Sequence, residues 1–455
     1  RLKDVLMMMI LLHVWPEQTY RFSTRKFLPS KKNFGPRLGL AYDLTGKGRT
    51  IFRSGIGRFY ERLPGFVFEN LNPPAFSIAQ LAQVPLSQTL FSNPYSVFPD
   101  EIISVPPSTI TYLDQDLRTA YTWSWNATVE QDLSNQFLIS TSYIGSNGIK
   151  LYRSINSNRL GSGMLKGRPG ERLVNNTAAF IAVGNQGFSS YHGLQIKING
   201  HRLQRFGLQY GTNYTWSYSV DNVSSLVGDD RVSGGRGLPL DAFNPNLDRG
   251  SSDHDVRHRL ASHFIWKIPL PNRFREFKEL LLGGWQVSGL LSFQTGQPFS
   301  LSDGRVFDRE SFDNTRPRLT GNPPDILNGR LMIPDARTPN SFLFLPVNRI
   351  RNTDGTCISN AKPFGCQFSV NGPFDGSLGR NTFRRPGTHF QNIALAKNID
   401  LPKIRNFEGM QLQCRAEFYN VFNHSNLYLK ALTTNMAAAS FNTDIRTRIP
   451  GIVAT

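Results

Sequence analysis

Long hydrophobic runs are missing from this chain. The chain has 455 residues, and it contains no apolar run approaching the roughly 20 residues that a membrane-spanning helix requires. Hydrophobic residues make up only 39% of the total. A membrane protein built from helices is therefore excluded. A β-barrel remains compatible with this composition, because its strands alternate apolar and polar residues and are polar on average.

Cysteine is scarce, with 3 in the whole chain. So few thiols argue against a disulfide-rich scaffold or a zinc module. Cys357 and Cys366 lie close together in a turn-rich segment, and both a disulfide in an oxidising compartment and two free thiols fit that spacing. Cys414 falls on the apolar side of a strand-like segment.

Acidic residues are outnumbered, 33 against 51 lysines and arginines, which gives a formal net charge of +18. A basic surplus is typical of nucleic-acid binding when it is concentrated in one helix or patch. Here the basic residues are dispersed, which favours a solvated basic surface or lumen. We therefore predict no nucleic-acid partner.

Alternation of apolar and polar residues is abundant, and residues 206–218 (FGLQYGTNYTWSY) are the clearest example. Successive side chains of a strand point to opposite faces, so this segment predicts a strand with one aromatic face and one polar face. Further segments with strand-like patterns are residues 38–44, 50–60, 121–132, 137–144, 191–203, 258–268, 285–295, 388–399 and 410–420.

The connections between these segments alternate between short turns and long stretches rich in Pro, Gly, Asn or Asp. Short periplasmic turns, long outer loops and strands with apolar and polar faces are typical of outer-membrane barrels. We therefore predict an all-β fold: an antiparallel transmembrane β-barrel, a partial barrel of about 10–12 strands. Residues 33–455 are assigned to this barrel, and residues 1–32 are left as an end of uncertain structure.

Six stretches in this order resemble the barrel region of TonB-dependent outer-membrane receptors, most closely the Oar-like group with its carboxypeptidase-regulatory-like domain. They are residues 33–60, 123–152, 191–216 (YHGLQIKINGHRLQRFGLQYGTNYTW), 247–264 (LDRGSSDHDVRHRLASHF), 283–298 (GGWQVSGLLSFQTGQP) and 379–426. The resemblance implies the C-terminal portion of a larger barrel, with the plug and N-terminal domains upstream.

The same resemblance implies a function and a location. The expected function is energised uptake of an unidentified extracellular ligand, with no enzyme activity and no cofactor. The expected location is the cell outer membrane of a Gram-negative-type bacterium, with outer-membrane lipid and the periplasmic TonB complex as partners. The long segments 61–118 and 296–387 suggest an alternative function, a surface adhesion or matrix-binding barrel without active transport.

Polar side chains on the inner faces of the predicted strands are the candidate ligand contacts, because the inner face of a barrel sets its selectivity. The alternative at each position is simple lining of a wet lumen. The candidates are Gln195, Lys197, Gln209, Asn213, Gln286, Gln411, Gln413 and Arg415.

The run 253–258 (DHDVRH) is the most site-like cluster in the sequence. Carboxylates and imidazoles are metal ligands, but His254 and His258 at the start of a strand give poor ligand geometry. Asp229, Asp230, Asp241 and Asp248 are too spread to hold calcium, so a solvated loop is predicted there. We predict no catalytic, cofactor or metal site.

Overall fold

The computed structural model describes most of the strand-forming chain. The described residues are 7–14, 33–63, 109–114, 116–133, 137–156, 179–200, 206–225, 239–240, 244–269, 283–300, 316, 318–319, 333–334, 342–343, 368–369, 379–400, 411–424, 426, 428–429 and 445–446. Within these ranges all the long elements are β-strands, joined by turns and irregular residues, and the complete helix described is the short 3-10 helix Pro245–Asp248. No helix of the described chain is long and apolar enough to cross a membrane.

The first eleven strands include most of the long ones. They are β1 (Met7–Val14), β2 (Phe34–Asp43), β3 (Thr50–Tyr60), β4 (Thr109–Leu113), β5 (Tyr121–Leu133), β6 (Phe137–Asn156), β7 (Ala179–Gly200), β8 (Leu208–Asp221), β9 (Gly250–Ser251), β10 (His258–Lys267) and β11 (Trp285–Gln294).

Short strands and the last two long ones complete the chain. They are β12 (Pro298–Phe299), β13 (Arg318–Leu319), β14 (Ile333–Pro334), β15 (Phe342–Leu343), β16 (Phe368–Ser369), β17 (Phe383–Arg384), β18 (Thr388–Asp400), β19 (Gln411–Phe418), β20 (Tyr428–Leu429) and β21 (Ile445–Arg446). Four two-stranded sheets pair β12 with β17, β13 with β16, β14 with β15, and β20 with β21.

One 13-stranded sheet contains all the long strands, in the order β1-β2-β3-β5-β6-β7-β8-β10-β11-β18-β19. Neighbours along this path are antiparallel; β4 adds to β7 in parallel and β9 to β8 antiparallel. Among the described residues β1 and β19 are the two edges of this sheet, which is therefore open between them. The predicted all-β antiparallel fold is confirmed.

The two ends of this sheet differ in the length of their connections. Residues 44–49, 134–136, 201–207, 268–284 and 401–410 join strands at one end, which we call the short-connection end. Residues 61–120, 157–178, 222–257 and 295–387 join strands at the other, the long-connection end. Because neighbouring strands are antiparallel and follow one another in sequence, successive connections lie alternately at the two ends of the sheet.

All ten predicted strands are present, with differences in length. Strands β6 and β7 run to 20 and 22 residues and extend well beyond the predicted segments at the long-connection end. The alternation breaks there because the β6–β7 register shifts between Gly148 and Leu151, where Lys150 has a positive φ of 56°. Within residues 1–32, for which no fold was predicted, Met7–Val14 forms a strand paired with β2.

Gly48 and Gly284 have nearly equal positive φ angles but differ in the space around them, so alanine at each position distinguishes backbone strain from steric clash. Gly48 has a φ of +69° and open space where a Cβ would be, whereas a Cβ added to Gly284 (φ +70°) would lie 2.0 Å from the Asn398 carbonyl oxygen. We expect Gly48→Ala to cost about 1 kcal/mol of unfolding free energy, and Gly284→Ala about 2–3 kcal/mol. Chemical denaturation in detergent micelles measures both, and equal losses would contradict the steric argument.

Candidate functional site

Cross-strand pairing places all eight predicted ligand contacts on one face of the sheet. Lys197 lies opposite Asn213, and Gln195 opposite Thr215, across β7 and β8. The same face continues through Gln209 and β10 to β11, β18 and β19, since residues directly opposite each other share a face. Its remaining predicted members are Gln286, Gln411, Gln413 and Arg415. We call this side of the sheet the polar face.

The polar face is polar across many strands. Ser142 lies beside Gln195, and its hydroxyl accepts a 2.9 Å hydrogen bond from the Thr128 hydroxyl. At the far edge, Gln413 Nε2 donates to the Asn398 side chain over 2.7 Å. All residues of β19 are exposed, as expected for an edge strand. Hydrogen-bonding groups therefore lie on this face from β5 to β19, interrupted by the apolar residues Ile265 of β10 and Leu290 of β11.

The opposite side of the sheet is apolar and aromatic, and we call it the aromatic face. Its centre is formed by residues such as Ile196, which lies opposite Thr141 and Tyr214. Towards the long-connection end, Trp216 and Tyr218 leave 55% and 41% of their surface exposed. An exposed aromatic face beside a polar one is the arrangement of barrels, whose outer surface contacts lipid and whose inner surface contacts water.

A buried cluster of arginines and aspartates lies at the long-connection end, and we call it the Arg–Asp cluster. Asp248, at the end of the 3-10 helix, is 1% exposed. Its carboxylate accepts hydrogen bonds from Arg153 at the end of β6 and from Arg316, the latter at 2.6 Å. Arg153 is 1% exposed, so this centre is removed from water.

Arg380 forms the second part of the Arg–Asp cluster. Its guanidinium donates to Asp221 at the end of β8, to Asp253 at 3.1 Å, and to the Ser224 hydroxyl at 2.7 Å. Burial lowers the pKa of Arg380, but the charges of Asp221 and Asp253 outweigh that effect, and the pKa is raised. Arg380 therefore stays charged and links the connection 295–387 to the connection 222–257 and to the end of β8.

Asp255 forms the third part, and it is also buried. Arg384 in β17 donates to one carboxylate oxygen, and Arg257 Nε lies 2.9 Å from the same oxygen. The Asp255 carboxylate also accepts the Ser219 backbone N–H at 2.8 Å. Together the three parts fasten residues 244–257 and 379–385 to the ends of β6 and β8.

The prediction of a solvated loop at Asp248 was wrong, because Asp248 is buried in this cluster. Arginines bind the carboxylates of Asp248, Asp253 and Asp255, so these groups are engaged in ion pairs. The other acidic residues considered for calcium, 229, 230 and 241, lie outside the described residues, as do Cys357 and Cys366. Within the described part of the chain, no three metal-ligating side chains converge. The run DHDVRH contributes Asp253 and Asp255 to the ion-pair cluster, and GRNTFRR (379–385) contributes Arg380 and Arg384.

Comparison with solved structures finds outer-membrane proteins at low identity. The outer membrane transporter YddB from Escherichia coli is 11% identical, with a TM-score of 0.41 over 87% of this chain and 38% of its own. FpvA from P. aeruginosa, bound to heterologous pyoverdines, is 9% identical, with a TM-score of 0.41 over 90% of this chain and 32% of its own. The FrpB iron transporter from Neisseria meningitidis is 9% identical, with a TM-score of 0.38 over 87% of this chain and 35% of its own.

The chain therefore spans about a third of the length of each of these structures. No curated protein matches it in sequence. A family model, described as the outer membrane beta barrel domain, matches residues 14–447, which is nearly the whole chain. With its antiparallel strands, its polar and aromatic faces and its two-sided connections, the chain belongs to the outer membrane β-barrel family and is an outer-membrane protein.

Proposed function

We propose that this barrel takes up a ligand across the outer membrane in an energised, TonB-dependent step. The observation that carries the proposal is the polar face, which continues from β5 to β19 and holds Gln195, Lys197 and Asn213 side by side. A polar inner wall of this extent suits the passage of a hydrated solute. The plug and the TonB contact belong to the proposal through family resemblance.

The Arg–Asp cluster supports a receptor role because it fixes the bases of the long connections. Binding loops are most effective when a rigid scaffold positions them. Arg380 alone joins Asp221, Ser224 and Asp253, which come from separate points of one long connection and the strand before it. The described bases of the long connections are in this way held at the end of the sheet that we expect to face outward.

Uptake by the full-length protein tests the proposal. Cells that express it in the outer membrane are offered labelled ferric siderophores, cobalamin and oligosaccharides, with or without a protonophore or the TonB gene. We expect one ligand to accumulate, and its uptake to fall at least about 10-fold when energy coupling is removed. Uptake that persists without energy coupling would contradict the proposal.

The same assay tests the proposed ligand contacts. Lys197→Ala/Asn213→Ala removes two neighbouring polar side chains from the polar face and is expected to weaken uptake about 10-fold, since hydrogen bonds to charged groups contribute about 1.5–3 kcal/mol. Thr141→Ala, on the aromatic face, is the matched control and should leave uptake unchanged. Equal uptake by both variants would assign residues 197 and 213 to simple lining of the lumen.

An adhesion barrel without transport is the alternative function. A variant in which a two-residue Asn-Gly turn replaces residues 320–367 joins β13 to its antiparallel partner β16 and keeps the paired bases of the long connection. Loss of cell attachment in this variant, together with no energised uptake of any offered ligand, would favour adhesion.

A further inference from the structure

Acidic side chains are almost missing from the four strands at the middle of the sheet. Strands β7, β8, β10 and β11 contain one aspartate, Asp221, and no glutamate. Asp221 is buried at the end of β8 and paired with Arg380. Other strand carboxylates, such as Glu130 of β5 and Glu417 of β19, lie on the strands to either side. The exposed charges on the four middle strands are therefore positive.

Three cations lie on the polar face of these strands, at different distances from its two ends. Lys197 of β7 lies opposite Asn213, which lies opposite Ala261 of β10. Arg259 and Lys267 are an even number of residues from Ala261, so they share its face. Arg259 is near the long-connection end, and Lys267 is at the short-connection end. We call Lys197, Arg259 and Lys267 the cationic strip.

Neutral hydrogen-bonding groups lie between the members of the cationic strip. His263 of β10 is on the same face, opposite Gly211. A Cβ added to Gly211 would lie 2.5 Å from His263 Cε1 and 3.1 Å from Asn199 Oδ1. The absence of a side chain at Gly211 thus leaves room for an imidazole and an amide beside each other. Both can hydrogen-bond a solute that neighbouring cations hold.

The cationic strip is exposed and carries no counter-ion. All three side chains are exposed, and within the described part of the chain none of them has a carboxylate partner. Arginines on the flanking strands differ, since Arg53 pairs with Glu130 at 3.2 Å and Arg415 with Glu417 at 2.7 Å. Charges of one sign that line a wet lumen attract and concentrate ions of the opposite sign. The middle of the polar face therefore favours anions.

We propose that the ligand taken up by this barrel is anionic, carrying carboxylate or phosphate groups, and that the cationic strip binds it. The inference rests on the proposed uptake function and names the chemical class of its ligand. Two strands and two residues separate Lys197 from Arg259, so their Cα atoms are about 12 Å apart, and both long side chains reach one ligand with two anionic groups. Lys267 is eight residues along β10 from Arg259, about 27 Å, so the strip follows the wall from one end to the other.

Matched solutes that differ in charge test the proposal. The full-length protein in detergent micelles, at about 0.1 M salt, is titrated in a calorimeter with two pairs of probes. Hexagalacturonate and its neutral methyl ester test carboxylates, and inositol hexakisphosphate and neutral inositol test phosphates. Uncompensated cations attract any small polyanion, so neither probe needs to be the natural ligand.

At least one anion is expected to bind about 10-fold more tightly than its neutral counterpart, and its affinity should fall as salt rises. Lys197→Gln/Arg259→Gln should weaken binding of that anion about 10-fold, because hydrogen bonds to charged groups are lost. Lys197→Arg/Arg259→Lys keeps both charges and should retain most of the affinity.

Arg37→Gln/Arg53→Gln is the matched control, since it also removes two cations from the polar face, but from β2 and β3. Strand β3 is three strands from β7, about 14 Å, which exceeds the screening length at this salt. The control should therefore weaken binding of the anion by less than about 2-fold. Heat-modifiable migration on a gel checks the folding of each variant before titration.

Absent or equal binding of the charged and neutral probes in both pairs would overturn the inference, as would an equal loss in the strip variant and the control. The first result needs no variant, so it is decisive even if a substitution prevents folding. Energised uptake of a neutral ligand alone would overturn the inference and leave the uptake function intact. Preferential binding of an anion without energised uptake of any ligand would support the inferred ligand class and contradict the uptake function.

Discussion

Asp248→Asn is expected to lower the free energy of unfolding by about 3–5 kcal/mol. The carboxylate is buried between Arg153 and Arg316, and it also accepts the Leu240 backbone N–H at 3.0 Å. An amide in its place leaves two buried guanidinium groups without their counter-ion, and desolvated charge of one sign is strongly unfavourable. Guanidinium unfolding in detergent micelles, followed by tryptophan fluorescence, measures the loss.

Glu130→Gln is the control for this prediction. Arg53 and Glu130 form a 3.2 Å ion pair on the polar face, with side chains 53% and 28% exposed. Water screens such a pair, so its loss should cost at most about 1 kcal/mol. If the two variants are equally stable, the Arg–Asp cluster does not hold the long connections to the sheet.

Ile196→Arg is expected to destabilise the inserted barrel by about 2–4 kcal/mol, the cost of a basic side chain facing lipid near the bilayer midplane. Ile196 lies in β7 on the aromatic face, opposite Tyr214 of β8. Folding into lipid vesicles, measured by the fraction that shows heat-modifiable migration across a denaturant series, gives this energy.

Gln195→Arg is the matched control, one residue away and on the polar face. The same side chain there contacts the lumen and should be tolerated within about 0.5 kcal/mol. A similar cost for both substitutions would mean that the two faces have been assigned wrongly. A larger cost at residue 195 would reverse the assignment.

Local pattern is sufficient to predict the strands. The alternation of residues 206–218 depends only on the period of two that any strand imposes, so β8 is predicted where it occurs. The same period places Lys197 and Asn213 on one face without any knowledge of their pairing. The predicted extent of β6 ended at residue 144 because residues 145–148 (GSNG) have the composition of a turn, whereas the strand continues through the register shift near Lys150.

The Arg–Asp cluster, in contrast, is a product of the tertiary structure. Arg380 and Asp221 are 159 residues apart, and Arg316 and Asp248 are 68 apart. A charged residue in a polar segment looks the same in sequence whether water or an arginine surrounds it, so a solvated loop was the natural interpretation. Only the antiparallel order of strands brings the ends of β6 and β8 to one level.

The sequence by itself determined the strands, their two faces and the alternation of short and long connections, because each depends on neighbouring residues. The tertiary structure decided which charges are buried together, as Arg380 is with Asp221 and Asp253. Those contacts join strands whose approach depends on the register of the whole sheet. The physical reason is that the direction of a strand side chain depends on its neighbours in sequence, whereas its burial depends on residues that are distant in sequence and packed around it.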